Sequence, residues 1–181
     1  VSREALLQHL IEHALRTDGP FTLRSGAISS WYLDARQTTF DGEGAALAGE
    51  AVLELVDPTV VAVGGMTMGA DPIAVATAIA GARSGRPLKA FSVRKEAKDH
   101  GTGGRIVGPV RAGDRVCVLE DTTTTGSAAR EAVEALRAEG IEVAQVVALV
   151  DRSGGAAAAR FEEAGIPFTA VFDTAALGVD E

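Results

Sequence analysis

The stretch Val116–Leu136 reads VCVLEDTTTTGSAAREAVEAL. Val116 to Leu119 are consecutive apolar residues, the composition of a strand covered on both faces. Glu120 and Asp121 follow, then Thr122, Thr123, Thr124 and Thr125, then Gly126 and Ser127. From Ala128 onward the apolar residues return at helical spacing, and Gly140 stops the helix after Glu139. The order is therefore strand, polar turn, helix. A helix that begins near Thr124–Gly126 offers free N–H groups and the positive end of its dipole to an anion, phosphate above all. Hydroxyls add donors, and Gly126 lets a ligand approach the backbone. There is no Gly-Lys-Ser/Thr, so this is not an ordinary P-loop. The carboxylates repel phosphate; they suit sugar hydroxyls, a metal or a developing cation. Phosphate donors beside an acidic pair describe a site for a ribose 5-phosphate. The plainer reading is a single helix cap at Asp121 or a threonine, with Glu120 in solvent. One cap accounts for one such residue, not for the whole row.

The same alternation extends in both directions. Val60–Val63 predicts a strand running into Gly64-Gly65, and Asp71-Pro72 opens a helix with Asp as N-cap and Pro at the first helical position. Lys89–Val93, Glu142–Val150 and Phe168–Phe172 read as strands, and Ala156–Ala164 as a helix. Before them come an amphipathic helix over Ser2–Arg16, short strand-like pieces at Phe21–Leu23 and Trp31–Asp34, and a helix over Gly42–Val56. Strands alternating with helices predict an α/β fold with a mainly parallel central sheet flanked by helices. In such sheets ligands sit beyond the C-terminal strand ends. Those ends carry GGMTMGAD, RKEAKDHG, EDTTTTGS and DRSGG.

The whole chain bounds the rest. Its 181 residues suit one domain, 1–181, and aromatics at 4% leave the core to Ala, Val, Leu and Ile. No run of eighteen apolar residues occurs, and the first residues are broken by charges, unlike a signal peptide. A single cysteine, Cys117, excludes an internal disulfide and fits a reducing cytoplasm; inside a core strand it serves as a small apolar filler. His9 and His13 stand at metal-compatible spacing with no third ligand in view, the pattern of ordinary helix histidines. A formal net charge of −8 argues against nucleic-acid binding and a membrane surface. An anionic ligand then needs a local basic patch, and Arg94, Lys95, Lys98, His100 and Arg105 supply one. A glycine-bearing loop of this charge can close over a polyanion and exclude water. Its bland alternative is a solvated charged loop.

Val116–Ala128 resembles the phosphoribosyl-pyrophosphate (PRPP) motif of type I phosphoribosyltransferases, with Glu-Asp where many members have Asp-Asp. Arg94–Val110 resembles the catalytic loop of orotate phosphoribosyltransferases at Arg94, Lys95, Glu96, Lys98, His100 and Gly101. FTLRSGAISSWYLDAR, from Phe21, resembles that family's hood segment, with Arg24 at a ligand-contacting lysine. Arg152 in ALVDRSGG matches an arginine that binds orotate. Its alternative partner is Asp151 or another surface acid. Tyr32 lies against the base or in the hood core, and Trp31 is packing.

The resemblance implies the type I phosphoribosyltransferase fold with a small N-terminal hood drawn largely from residues 1–40. It implies transfer of the phosphoribosyl group from PRPP to orotate, giving orotidine 5′-monophosphate and pyrophosphate. Arg94, Lys95, Lys98, His100, Glu120, Asp121, Thr122, Thr123, Thr124, Thr125, Gly126, Ser127 and Ala128 would bind PRPP. Lys98, His100 and Asp121 would be catalytic. Arg24, Thr124 and Arg152 would bind orotate. Mg²⁺ would be carried mainly by PRPP, without a protein ligand cage, and a homodimer would place the catalytic loop in the neighbouring site. The loop GGMTMGADP occupies the family's pyrophosphate-loop position but lacks the lysine many members carry there. A phosphoribosyltransferase for another base, or a non-catalytic PRPP-binding regulator, are the alternatives.

Overall fold

The computed structural model of the chain describes residues 3–23, 26–98 and 104–179, with Lys98 through its backbone alone. Arg24 and His100 lie outside the described residues.

A six-stranded sheet forms the centre. Its strands are β5 (Ala62–Met66), β6 (Lys89–Lys98), β7 (Gly104–Val107), β8 (Arg115–Thr123), β9 (Glu142–Asp151) and β10 (Phe168–Asp173). Their order is β10-β9-β8-β5-β6-β7, all parallel except β7, which runs against β6. β8 is central because its apolar run can be buried on both faces. Cys117 and Leu119 join the core under α1 (Arg3–His9), α3 (Gly42–Leu53) and α4 (Ala70–Arg83). Val116 and Val118 join the core under α5 (Ser127–Ala138) and α6 (Ala156–Glu163). On α5 the buried residues Ala129, Ala132, Val133 and Leu136 form the stripe that its sequence spacing predicts.

Gly64 and Gly65 bring β5 unusually close to its neighbours. A Cβ on Gly64 would lie 2.1 Å from the Phe91 carbonyl oxygen, and one on Gly65 would lie 2.1 Å from that of Leu119. Only hydrogen fits at either position.

At the N-terminal end, β2 (Phe21–Thr22) pairs with β3 (Ile28–Ser29), and β1 (Leu15–Arg16) pairs with β4 (Tyr32–Leu33). A short helix, α2 (Arg36–Thr39), leads into α3, whose N-cap Asp41 accepts from the N–H groups of Glu43 and Gly44. No helix among the described residues is long and apolar enough to cross a membrane.

Several elements depart from the sequence reading. The first helix stops at His9 and passes through a π-helical turn, Leu10–Ala14, because Leu15 and Arg16 are taken up by pairing with Tyr32 and Leu33. Asp71 is not an N-cap: α4 begins at Ala70, and the Asp71 carboxylate instead accepts from the Thr67 hydroxyl at 2.7 Å. The strand expected at Lys89–Val93 continues to Lys98. Pairing of β6 with β7 makes Arg94–Lys98 and Arg105 parts of a hairpin, where the charge run alone suggests a loop. The strand expected at Val116–Leu119 likewise runs on through Thr123, held by β9 as far as Asp151.

Candidate active site

Because β8 continues past its apolar run, Glu120 to Thr123 are strand residues with fixed directions. Glu120 accepts from the Thr123 hydroxyl at 2.7 Å, and Asp121 accepts from the Thr122 N–H at 2.8 Å. Both carboxyls are partly buried. Burial pushes Glu120 up to about 7; the Thr123 hydroxyl opposes this, and the charges of Asp121 and Asp151 add to it. Asp121 is raised too, again by burial, against the pull of the Thr122 N–H and the Arg36 charge. Near neutral pH Glu120 can therefore donate as well as accept, beside the Asp121 carboxyl, which suits a sugar diol.

Beyond Thr123 the chain turns into α5. Gly126 adopts φ 73°, and a Cβ there would lie 3.0 Å from the Phe161 ring. The turn thus needs glycine for its left-handed backbone and for room. The N-cap Gly126 has no side chain to cap α5; the Ser127 N–H donates to the Thr125 hydroxyl at 3.4 Å, and the amides that follow in the first turn remain for an anion. The Thr125 hydroxyl donates to Ser127 Oγ at 3.1 Å, and Arg160 of α6 donates to the Thr125 carbonyl at 2.7 Å, fixing the turn from behind.

The facing wall is the connection from β5 to α4. A Cβ on Gly69 would lie 2.6 Å from an Asp121 carboxylate oxygen, so this glycine makes the space that the acid occupies. Between the walls lies a cleft of about 360 Å³, lined among others by Thr67, Gly69, Lys95, Glu120, Asp121 and Ser127.

Arg152 follows β9 and donates its backbone N–H to the Thr123 carbonyl at 2.7 Å. Its guanidinium carbon lies 4.1 Å from the centre of the Trp31 ring, and its Nε is buried without a hydrogen-bond partner. Burial lowers its pKa, and the nearby Tyr32 hydroxyl is the group that opposes this. Asp151 does not pair with it; that carboxylate accepts from the Ser153 N–H at 2.8 Å.

Comparison with known proteins follows the same lines. No protein-family model matches the chain. The orotate phosphoribosyltransferase of Streptomyces avermitilis is 48% identical over 179 residues, 98% of each chain. That of Aquifex aeolicus is 45% identical over 177 residues, 95% of each chain. The chain belongs to the orotate phosphoribosyltransferase family. A solved orotate phosphoribosyltransferase, that of Mycobacterium tuberculosis H37Rv in complex with PRPP, matches with a TM-score of 0.82 at 37% identity, covering 98% of this chain and 99% of that one. The adenine phosphoribosyltransferase of Rhodothermus marinus, at 20% identity and a TM-score of 0.61, shares the fold.

Set against this orotate phosphoribosyltransferase fold, the sequence-derived residues fall into groups. Lys95, Glu120, Asp121, Ser127 and Ala128 line the cleft. Thr124, Thr125 and Gly126 form the turn above α5, whereas Thr122 and Thr123 belong to the strand and Thr123 is wholly buried. Thr123 serves Glu120 and carries Arg152, so it supports the site from below. Arg94 stands at the hairpin and accepts from the Arg105 side chain through its carbonyl at 2.8 Å. Arg105 is also neutralised by Glu131, which lines the cleft. Tyr32 is partly exposed and Trp31 buried.

Sequence reasoning gave no role to Arg160 or Glu131, which act through tertiary contacts that no local pattern carries. Gly69 lay in the glycine-rich loop expected to face pyrophosphate, and its fit to Asp121 was not foreseen; Arg36 ended the hood-like segment without a role of its own.

Proposed function

We propose that this chain transfers the phosphoribosyl group of PRPP to orotate, releasing pyrophosphate and forming orotidine 5′-monophosphate. The observation that carries this reading is a cleft in which an acidic pair, a helix N-terminus and a lysine converge, with a half-buried arginine that has no counter-ion among the described residues bonded to the same strand through its backbone.

In this reading the turn Thr124–Ala128 holds the 5-phosphate through hydroxyls and α5 amides. Glu120 and Asp121 hold the ribose hydroxyls. The bond between C1 of the ribose and the pyrophosphate oxygen breaks, and its electron pair leaves with pyrophosphate. Positive charge builds on the ring, where Asp121 stabilises it. A ring nitrogen of orotate forms the new bond at C1 and gives up its proton, which passes to solvent. Arg94, Lys95, Lys98 and His100 balance the leaving anion, and Lys98 or His100 protonates it. Arg152, with Thr124 and Arg24, orients the orotate carboxylate.

Phosphoribosyltransferases that use PRPP generally take Mg²⁺, and the oxygens of Thr67, Glu120, Asp121 and Ser127 in the cleft fit a hard cation arriving with its own phosphate ligands. Bound Mg²⁺ would neutralise pyrophosphate charge; Glu120 and Asp121 would face it through the ribose hydroxyls.

The chain acts as a homodimer in the cytoplasm, as one domain with a hood from residues 1–40, and the segment Arg94–His100 serves the neighbouring site. Exposed Val75 and Ile79 on α4 and Val107 on β7 support a covered face, with Val75 and Val107 lining one shallow groove. The deciding experiment measures orotate consumption with PRPP and Mg²⁺, beside a panel of purine bases. Orotate alone should be consumed. Turnover of a purine without turnover of orotate would overturn the assignment.

A further inference from the structure

We propose that Trp31 is a positioning residue for the base: its indole face holds the Arg152 guanidinium flat, so that the edge of the guanidinium meets the ring carboxylate. This rests on the reading of Arg152 as the orotate contact.

Arg152 is a desolvated cation that meets no carboxylate among the groups acting on its charge. Half-buried cations are ordinarily paired. Here the Trp31 ring lies 4.1 Å beneath the guanidinium carbon in place of a counter-ion. Stacking occupies a face of the guanidinium. Nε is buried there, so the in-plane N–H donors of the two terminal nitrogens are the ones left for a ligand. A flat ligand with a carboxylate on its ring is recognised by such an edge through paired, coplanar hydrogen bonds. A guanidinium free to rotate would lose that alignment on most encounters, so the stack lowers the ordering cost of binding.

The indole is itself fixed. Trp31 is 6% exposed, its backbone N–H donates to Ser29 Oγ at 3.3 Å, and the next residues, Tyr32 and Leu33, are paired with β1. On the other side, the Arg152 backbone is held by Thr123, which also bonds Glu120. The stack thus joins the hood to the strand that carries the acidic pair. A tryptophan that only filled the hood core would not need a cation on its face.

Trp31 is the chain's sole tryptophan, so its fluorescence reports this contact without interference. The test combines kinetics of Trp31→Leu, Trp31→Phe and Arg152→Ala with fluorescence lifetimes of the unsubstituted protein and Arg152→Met. Trp31→Leu should raise KM for orotate about five- to thirty-fold. KM for PRPP should stay within about two-fold, and Trp31→Phe should recover most of the loss. The Trp31 lifetime should change on adding orotate, and Arg152→Met should change it in the free protein. An unchanged orotate KM in Trp31→Leu, with a raised one in Arg152→Ala, overturns the platform and leaves the Arg152 reading standing. An unchanged orotate KM in Arg152→Ala overturns both. Equal rises in both KM values would mean general damage to the hood and also overturn it. Should Trp31→Leu fail to fold, a lifetime indifferent to both orotate and Arg152→Met overturns the proposal.

Discussion

At the scale of single residues, Glu120 carries the clearest energetic signature. Its folded pKa, about 7, lies above the ordinary value of 4.5. Between those values the folded protein binds a proton that the unfolded chain has released. Stability from this group is therefore complete below the ordinary value and is lost as pH rises through the folded one. Asp57 and Asp114 act oppositely, since their hydrogen-bonded carboxyls are held low and lose stability only as the solution becomes acidic. The difference between the unsubstituted protein and Glu120→Gln isolates the first effect. Denaturant unfolding of the ligand-free protein should show a loss of about 2 kcal/mol between pH 5 and 8 that Glu120→Gln lacks. Parallel pH profiles would refute it. The acid pair itself was plain in the sequence, at the end of an apolar run. Its proton affinity was not, because that depends on what the fold buries around it.

At the scale of elements, β5 and the connection that follows it separate structural from functional glycines. Gly64 faces the Phe91 backbone, which cannot give way without breaking the β5–β6 ladder. At Gly69 the three atoms nearest an added Cβ all belong to the carboxylate of Asp121. Gly64→Ala should cost about 3 kcal/mol or more, read as a lowered Tm. Gly69→Ala should leave Tm nearly unchanged and cut turnover at least ten-fold by displacing Asp121. Full activity in Gly69→Ala would show that the acid needs no fixed position.

The sequence marked β9 and the apolar half of β8 well, since their apolar runs match burial on both faces; at β5 it pointed to Val60–Val63, whereas the strand is Ala62–Met66 and Val61 is exposed. It placed the strand ends too early at β6 and β8. There polar residues continue in the ladder because a neighbouring strand holds their backbone, and side-chain polarity says nothing of that. The pairing of Arg94–Lys98 with β7 was hidden for the same reason: the charges read as a loop, while the bonding partner comes later in the chain.

At the scale of the whole molecule, the exposed apolar residues on α4 and β7 bear on assembly. The double variant Val75→Glu with Ile79→Glu should convert a dimer into a monomer by sedimentation, and activity should fall with it. A monomeric unsubstituted protein of full activity would refute the arrangement in trans. The α/β architecture was legible from the alternation of runs, as was the position of the cleft beyond the strand ends. Of the N-terminal strands, the sequence marked those within Phe21–Leu23 and Trp31–Asp34 and missed Leu15–Arg16 and Ile28–Ser29, since strands of two residues each give little periodicity to read.

Cys117 ends the account at the centre of the sheet. It is the sole thiol, wholly buried on β8 beneath the acidic pair, and burial drives its pKa well above the ordinary range. A thiol so placed is inert until β8 leaves its neighbours. Its rate of chemical labelling is thus a clock that ticks once per opening of the strand on which the site is mounted. A ligand that grips the strand end slows that clock by the fraction of time it is bound. Occupancy of the cleft can then be timed from the core, with no label at the surface and no turnover required.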